Sequence, residues 1–153
     1  MSNLTKTNLN KIYQIDGYLW LEETIKILQK NRLEELDIEN LIEELQSLGK
    51  RDLNKVKSLL RQIIIHLLLL AYWQEEHERN YRYWRGEITA FRAELSDSLT
   101  TTLENKLHEE LASIYQTALK IVLQKTGLSK DHIPENCPYS FGQLLDDSWY
   151  PEA

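Results

Sequence analysis

Helix breakers and cysteine are both scarce in this chain. Of 153 residues only five are glycine and three proline, and the prolines all lie beyond position 133. Most of the sequence is therefore free to run as helix. Cys137 stands alone, which excludes an internal disulfide and fits a reducing compartment. The opening residues, MSNLTKTNLNKIYQ, carry no apolar segment of the kind a secretory signal needs. A net charge of −6 disfavours nucleic acid as a partner over the whole surface, leaving only a local basic patch open. The longest apolar run covers roughly half of the ~20 residues a membrane span requires, and His66 interrupts it. A soluble, cytoplasmic protein with no membrane contact is the expectation.

What is present is one dominant stretch, Leu59 to Trp73, reading LLRQIIIHLLLLAYW. On a helix, Leu59, Leu60, Ile63, Ile64, Leu67 and Leu70 fall in one stripe, while Ile65 and Leu69 fall opposite. A helix that is apolar all round is buried, so this is read as the central helix. Around it the chain reads as an all-α, up-down helical bundle of about five helices, with an irregular, proline-containing C-terminal tail. Residues 1–15 read as a polar N-terminal arm and 16–151 as a single helical-bundle domain.

The helices carry their own boundary signals. Asp16 suits an N-cap for a helix ending near Asn31, with Tyr18, Trp20, Leu21, Ile25, Ile27 and Leu28 on one broad face. Asp37 suits the next, where Leu36 and Leu41 have the spacing of a hydrophobic staple and Glu39 favours the positive helix end. In that helix Ile38, Leu41, Ile42, Leu45 and Leu48 read as a buried stripe, and Gly49 reads as the terminator. The long central helix is expected from Asp52 to Arg79, then a corner through RNYRYWR (79–85), then a short helix to Leu95. Ser98 is a plausible N-cap for the last long helix, which Gly127 ends with Leu128 over the cap. Pro134 and Pro138 forbid further long helix, Phe141 to Leu145 have room for one turn, and Trp149 and Tyr150 can anchor the tail.

The ordered set YLWLEETIKILQ, LDIENLIEELQSLG, IIIHLLLLAYW, YWRGEI and PENCPYSFGQLLD…WYP resembles the domain of unknown function 29 family (DUF29), which is largely cyanobacterial. The likeness spans residues 16–151. It implies an all-helical bundle of unknown function, of cyanobacterial type. Carried across position by position, the family's recurrent polar residues fall at Asp37, Glu39, Glu43, Glu44, His66, Trp84 and Arg85. This chain departs at Leu69 to Tyr72, where the family has a Lys/Trp pair, so any role of that lysine is absent.

Four constellations carry candidate chemistry. His66 sits at the edge of the buried stripe, where a core imidazole held by a neighbouring carbonyl, carboxylate or tyrosine is the plainer reading. A metal site of Glu39, Glu43 or Glu44 with His66 lacks both a second histidine at ligand spacing and the Glu-x-x-His pattern of bundle metal sites. By helical geometry Glu44 alone flanks the apolar stripe, and a solvated acidic face is preferred. Arg61 and His66 have the Arg-x-x-x-x-His spacing of HEPN-type ribonucleases, in which the guanidinium stabilises phosphate charge and the imidazole transfers protons. Such an enzyme would work without metal, as a dimer with both residues at its interface.

Arg79, Tyr81, Arg82, Tyr83, Trp84 and Arg85 interleave cations with aromatics, as single-strand binders do. Glu75, Glu76 and Glu78 nearly cancel that patch. Trp84 and Arg85 are more simply a structural pair, the guanidinium stacking on an indole or bridging to a carboxylate such as Glu44. Cys137, without a basic neighbour, reads as a tail residue rather than a nucleophile. No cofactor motif and no metal set is found. The expectation is an interaction or regulatory module of unknown biochemical function, without enzymatic activity, binding an unknown protein partner or itself through surfaces that include Glu44, His66, Trp84 and Arg85. The alternative is the dimeric ribonuclease using Arg61 and His66.

Overall fold

The structure, a computed structural model, describes residues 6–152, with side chains from Asn8 onward, and every regular element among them is helical. The long helices are α1 (Lys6–Ile15), α2 (Gly17–Gln29), α3 (Ile38–Tyr72), α4 (His77–Ser98) and α5 (Thr101–Thr126), followed by the short α6 (Phe141–Leu145). The chain divides into two compact units, 1–51 and 52–153.

Helix α1 occupies a stretch whose polarity suggests a loose arm. Residues 6–15 are helical, and Leu9 is completely buried; residues 1–5 of the expected arm lie outside the described residues. Asp16 caps α2 as its position suggests, accepting a hydrogen bond from the Leu19 N–H at 3.1 Å. The N-terminal unit is pinned by one polar knot. The Trp20 indole is fully buried and donates from Nε1 to Asp37 Oδ2 at 3.1 Å. Asp37 also caps α3, accepting from the Asn40 N–H (3.4 Å) and side-chain amide (2.7 Å). A buried carboxylate persists only with several donors, and this one has them.

Two boundaries differ from the sequence reading. Gly49 does not end a helix: α3 continues through it to Tyr72. A glycine inside a helix costs only about 1 kcal/mol relative to alanine, so a continuous run of good helix formers overrides it. The corner expected at 79–85 falls earlier, at Trp73, where the chain bends by 85° into α4. RNYRYWR contains no breaker, and it lies inside α4. Ser98 ends α4, and Thr100 takes the expected capping role for α5, accepting from the Leu103 N–H at 3.2 Å. Gly127 terminates α5 in the left-handed conformation (φ 71°), as its type and place suggest.

The second unit holds most of the core. Leu59 to Leu70 of α3 is buried except for the half-buried Arg61 and Gln62, and Ile65 and Leu69 are enclosed with the rest. Against this run pack Trp84, Ile88 and Leu95 of α4, Ile114, Ala118 and Val122 of α5, and Ile133, Tyr139 and Leu144 of the tail. Lys57 and Glu110 pair at 3.1 Å between α3 and α5.

One buried cation fixes the tail. Arg92 of α4 is 2% exposed and donates three hydrogen bonds to main-chain carbonyls: Nε to Leu144 (2.9 Å), Nη1 to Trp149 (2.7 Å) and Nη2 to Gln143 (3.0 Å). The Gln143 and Leu144 oxygens belong to α6, whose start is fixed by a reciprocal capping box between Ser140 and Gln143. One and two turns before Arg92, Thr89 Oγ1 meets the Tyr150 hydroxyl at 2.9 Å and Arg85 stacks over the Tyr150 ring at 4.1 Å. Replacing Arg92 by methionine leaves three carbonyls without their donor. Urea unfolding of Arg92→Met is expected to show a loss of about 3 kcal/mol, with proteases cutting first in 140–152.

Candidate interaction surface

In the N-terminal unit the interior around Leu9 and Trp20 also takes in polar side chains, and much of the aliphatic surface of its helices faces outward. On α3 the side facing α1 carries Asn40 and Glu44, with Tyr13 donating to Glu44 Oε1 at 2.7 Å and the Asn10 amide beside Asn40. Helical geometry then throws the apolar stripe to the far side. Ile38, Ile42, Leu45 and Leu48 are 49%, 50%, 60% and 50% exposed, which corrects the expectation that this stripe is buried. Leu41 is half-buried. Helix α2 repeats the pattern. Its buried positions are Trp20 and Thr24, so the rotation set by the Trp20–Asp37 bond leaves Tyr18, Leu21, Ile25 and Leu28 exposed. Among the described residues, all exposed large hydrophobics except Tyr83 and Ile121 lie in this unit. Apolar surface is therefore concentrated in this unit.

The residues singled out from sequence are dispersed. Glu44 is the partner of Tyr13, and that hydrogen bond, reinforced by burial and by the carboxylates of Glu44, Glu43 and Asp37, pushes the Tyr13 phenol up to about 12. His66 is 8% exposed. Its Nδ1–H donates to the Gln62 carbonyl at 2.7 Å, and its ring lies 5.5 Å from Phe91. Burial lowers its pKa, against smaller opposing effects of Gln62 and Glu87. Arg61 stands five residues earlier on the same helix, about 140° round from His66, so the two do not converge within one chain.

Trp84 is buried and stacks on Trp73 at 5.9 Å, closing the corner between α3 and α4. Arg85 stacks on the Tyr150 phenol, replacing the expected indole or Glu44 partner. Of the remaining patch, Arg79 lies 3.9 Å from Glu76 and Arg82 donates to the Tyr81 hydroxyl at 3.1 Å. Cys137 is half-buried with its thiol toward the Tyr139 carbonyl, and burial raises its pKa, the opposite of what a nucleophile needs. Among the described residues no group of three or more His, Cys, Asp or Glu side chains is placed to hold a metal ion. An open cleft of ≈900 Å³ lies between α5 and the 130–135 loop, lined by Tyr72, Leu119 and Leu123 with Lys120, Lys130 and Glu135 at its edges.

Arg92 and the exposure of the α3 stripe are what sequence reasoning missed. An arginine inside a polar helix carries no signal of its destination. The row of Asn40 and Glu44 opposite the stripe does carry one, because a second, polar face can pack when its partners are asparagine and tyrosine.

Two titrations follow. Ultraviolet titration of Tyr13 should give a value near 12, and Glu44→Gln should bring it back towards the ordinary 10. His66 is neutral in the fold with a lowered pKa, so the unfolded chain takes up the proton first, near 6.5. Its contribution therefore makes stability fall as pH drops below about 6.5, levelling only below the folded value. Thermal melts of His66→Gln should show a shallower decline from pH 7 to 5 than the wild type.

Residues 12–150 match the family described as "Domain of unknown function DUF29". No curated protein and no solved structure matches the chain. Among the described residues no single helix is long and apolar enough to cross a membrane, although α3 and α4 taken together, bent at Trp73, pass that test of length and composition. With the match running through nearly the whole sequence, the chain belongs to the DUF29 family.

Proposed function

We propose that this protein is a small, soluble, cytoplasmic interaction module whose N-terminal unit offers the outward stripe of α3 for docking, with no chemical step of its own. The observation that carries this reading is the inverted patterning of α3 before Asp52. Apolar residues there face away from the chain's own packing, while those from Leu59 onward face into it. Leaving four large aliphatic side chains about half exposed along one stripe forgoes about 1 kcal/mol each relative to full burial, a cost that a covering partner removes. Burial of the α3 run against α4, α5 and the tail, together with a lone cysteine that has no partner for an internal disulfide, supports the soluble, cytoplasmic reading.

The ribonuclease alternative draws no support from the comparisons. Buried His66 spends Nδ1 on Gln62, and Arg61 points elsewhere on α3.

Replacement of exposed side chains tests the reading directly. Ile42→Ser with Leu45→Ser, unfolded in urea at low protein concentration, should stay within about 1 kcal/mol of the wild type. A loss above about 4 kcal/mol would place both side chains in a closed core and end the proposal. A metal-free RNA-cleavage assay addresses the enzyme. No cleavage is expected, and cleavage lost in a folded His66→Ala variant would establish a ribonuclease instead.

A further inference from the structure

We propose that the partner of the α3 stripe is a second copy of this chain, paired antiparallel across a two-fold axis near Leu45. The inference rests on the docking reading above and adds its occupant. Three features of α3 before Asp52 point the same way.

The first is the order of charge along the stripe. Ile38, Ile42, Leu45 and Gly49 lie within about 60° of one another around the helix, and Glu39 and Lys50 flank that line on the same side, within about 20° of each other. Acid stands at the N-terminal end (Glu39, Glu43) and base at the C-terminal end (Lys50, Arg51). Among the described residues none of these four forms an ion pair. In an antiparallel pair each flank meets the same flank of its partner in reverse order. With the axis between Glu44 and Leu45, Glu39 of each copy falls opposite Lys50 of the other, twice over. A parallel pair would put like flanks on opposite edges of the interface and leave Glu39 and Lys50 about 16 Å apart in height, so neither contact would form.

The second is Gly49. It sits inside a 35-residue helix, where glycine is unfavourable, and a side chain built there would meet nothing within 4 Å. Nothing in the chain's own packing calls for a missing side chain at that point. In the antiparallel register Ile42 of the partner copy comes level with Ser47, between Leu45 and Gly49 on the facing line, and glycine lets the two backbones approach. The third is self-complementarity of shape: a two-fold interface uses one patch on both subunits, and this stripe is large at 38, 42 and 45 and small at 49, so reversal sets bulk against space. The four turns from Ile38 to Arg51 are about 21 Å long, so the interface is short and the dimer is expected to dissociate on dilution.

The test uses the full chain in sedimentation equilibrium from about 1 to 200 µM, with Leu45→Cys in a Cys137→Ser background as a covalent reporter. A reversible dimer is expected, and mild oxidation should join Cys-bearing chains through position 45. Glu39→Lys and Lys50→Glu should each weaken dimerisation about tenfold, and the double variant should recover to within about threefold. Gly49→Leu should weaken it while leaving the monomer folded. A monomer throughout the range would overturn self-pairing, and so would a dimer indifferent to both charge reversals and uncoupled at position 45. Either result leaves the docking reading standing if Ile42→Ser with Leu45→Ser behaves as an exposed pair, and the two claims therefore fail separately.

Discussion

Everything in the N-terminal unit follows from the bond between the Trp20 indole and the Asp37 carboxylate. It places a completely buried aromatic on one side of α2 and a buried charge at the start of α3, and it fixes how each helix is rotated. Once Trp20 points inward, Leu21, Ile25 and Leu28 cannot. Once Asp37 binds Trp20 and Asn40, the turn that follows presents Asn40 and Glu44 to α1, and the aliphatic residues of α3 are left outside. A donor and an acceptor thus decide where hydrophobic side chains go, because leaving a buried charge unpaired costs more than leaving several aliphatic residues half in water. The apolar surface is a consequence of that polar choice.

The second unit solves a different problem with similar means. A tail of three prolines and no long helix has little backbone bonding of its own. Arg92 supplies what is missing by giving donors to three carbonyls at once, which suits a planar, multiply donating guanidinium. Arg85 and Thr89 on the same side of α4 hold Tyr150, so residues far apart in sequence act as one clasp. The Trp-Arg pair at 84–85 and the Trp-Tyr pair at 149–150 are explained together. Trp84 closes the corner with Trp73, while Arg85 reaches the tail.

Much of this was legible. The run from Leu59 to Leu70 is apolar on every side and had to be buried. Asp16, Asp37 and Gly127 mark helix ends through chemistry that acts within one turn, and the short α6 sits where Phe141 to Leu145 leave room for it. Failures came where a local signal competed with a distant one. Gly49 looks like a terminator because the staple and stripe before it are short-range cues, but continuing the helix costs little. The corner was misplaced because RNYRYWR is unusual in composition and contains nothing that stops a helix. The rotation of α2 and of early α3 could not be read from periodicity, since periodicity finds an apolar side without saying whether a polar side packs better. Of the candidate residues, Glu44, His66, Trp84 and Arg85 each have a partner within the chain, and the exposed aliphatic side chains of the N-terminal unit are ones that periodicity assigns to the core.

Hydrogen–deuterium exchange at several protein concentrations would test the central claim most directly, resolved along α3. Amides from 38 to 51 should gain protection as concentration rises, while those from 59 to 70 remain equally slow throughout. Identical protection of 38–51 at every concentration would contradict the account, because a stripe that a second copy covers must exchange more slowly when that copy is present.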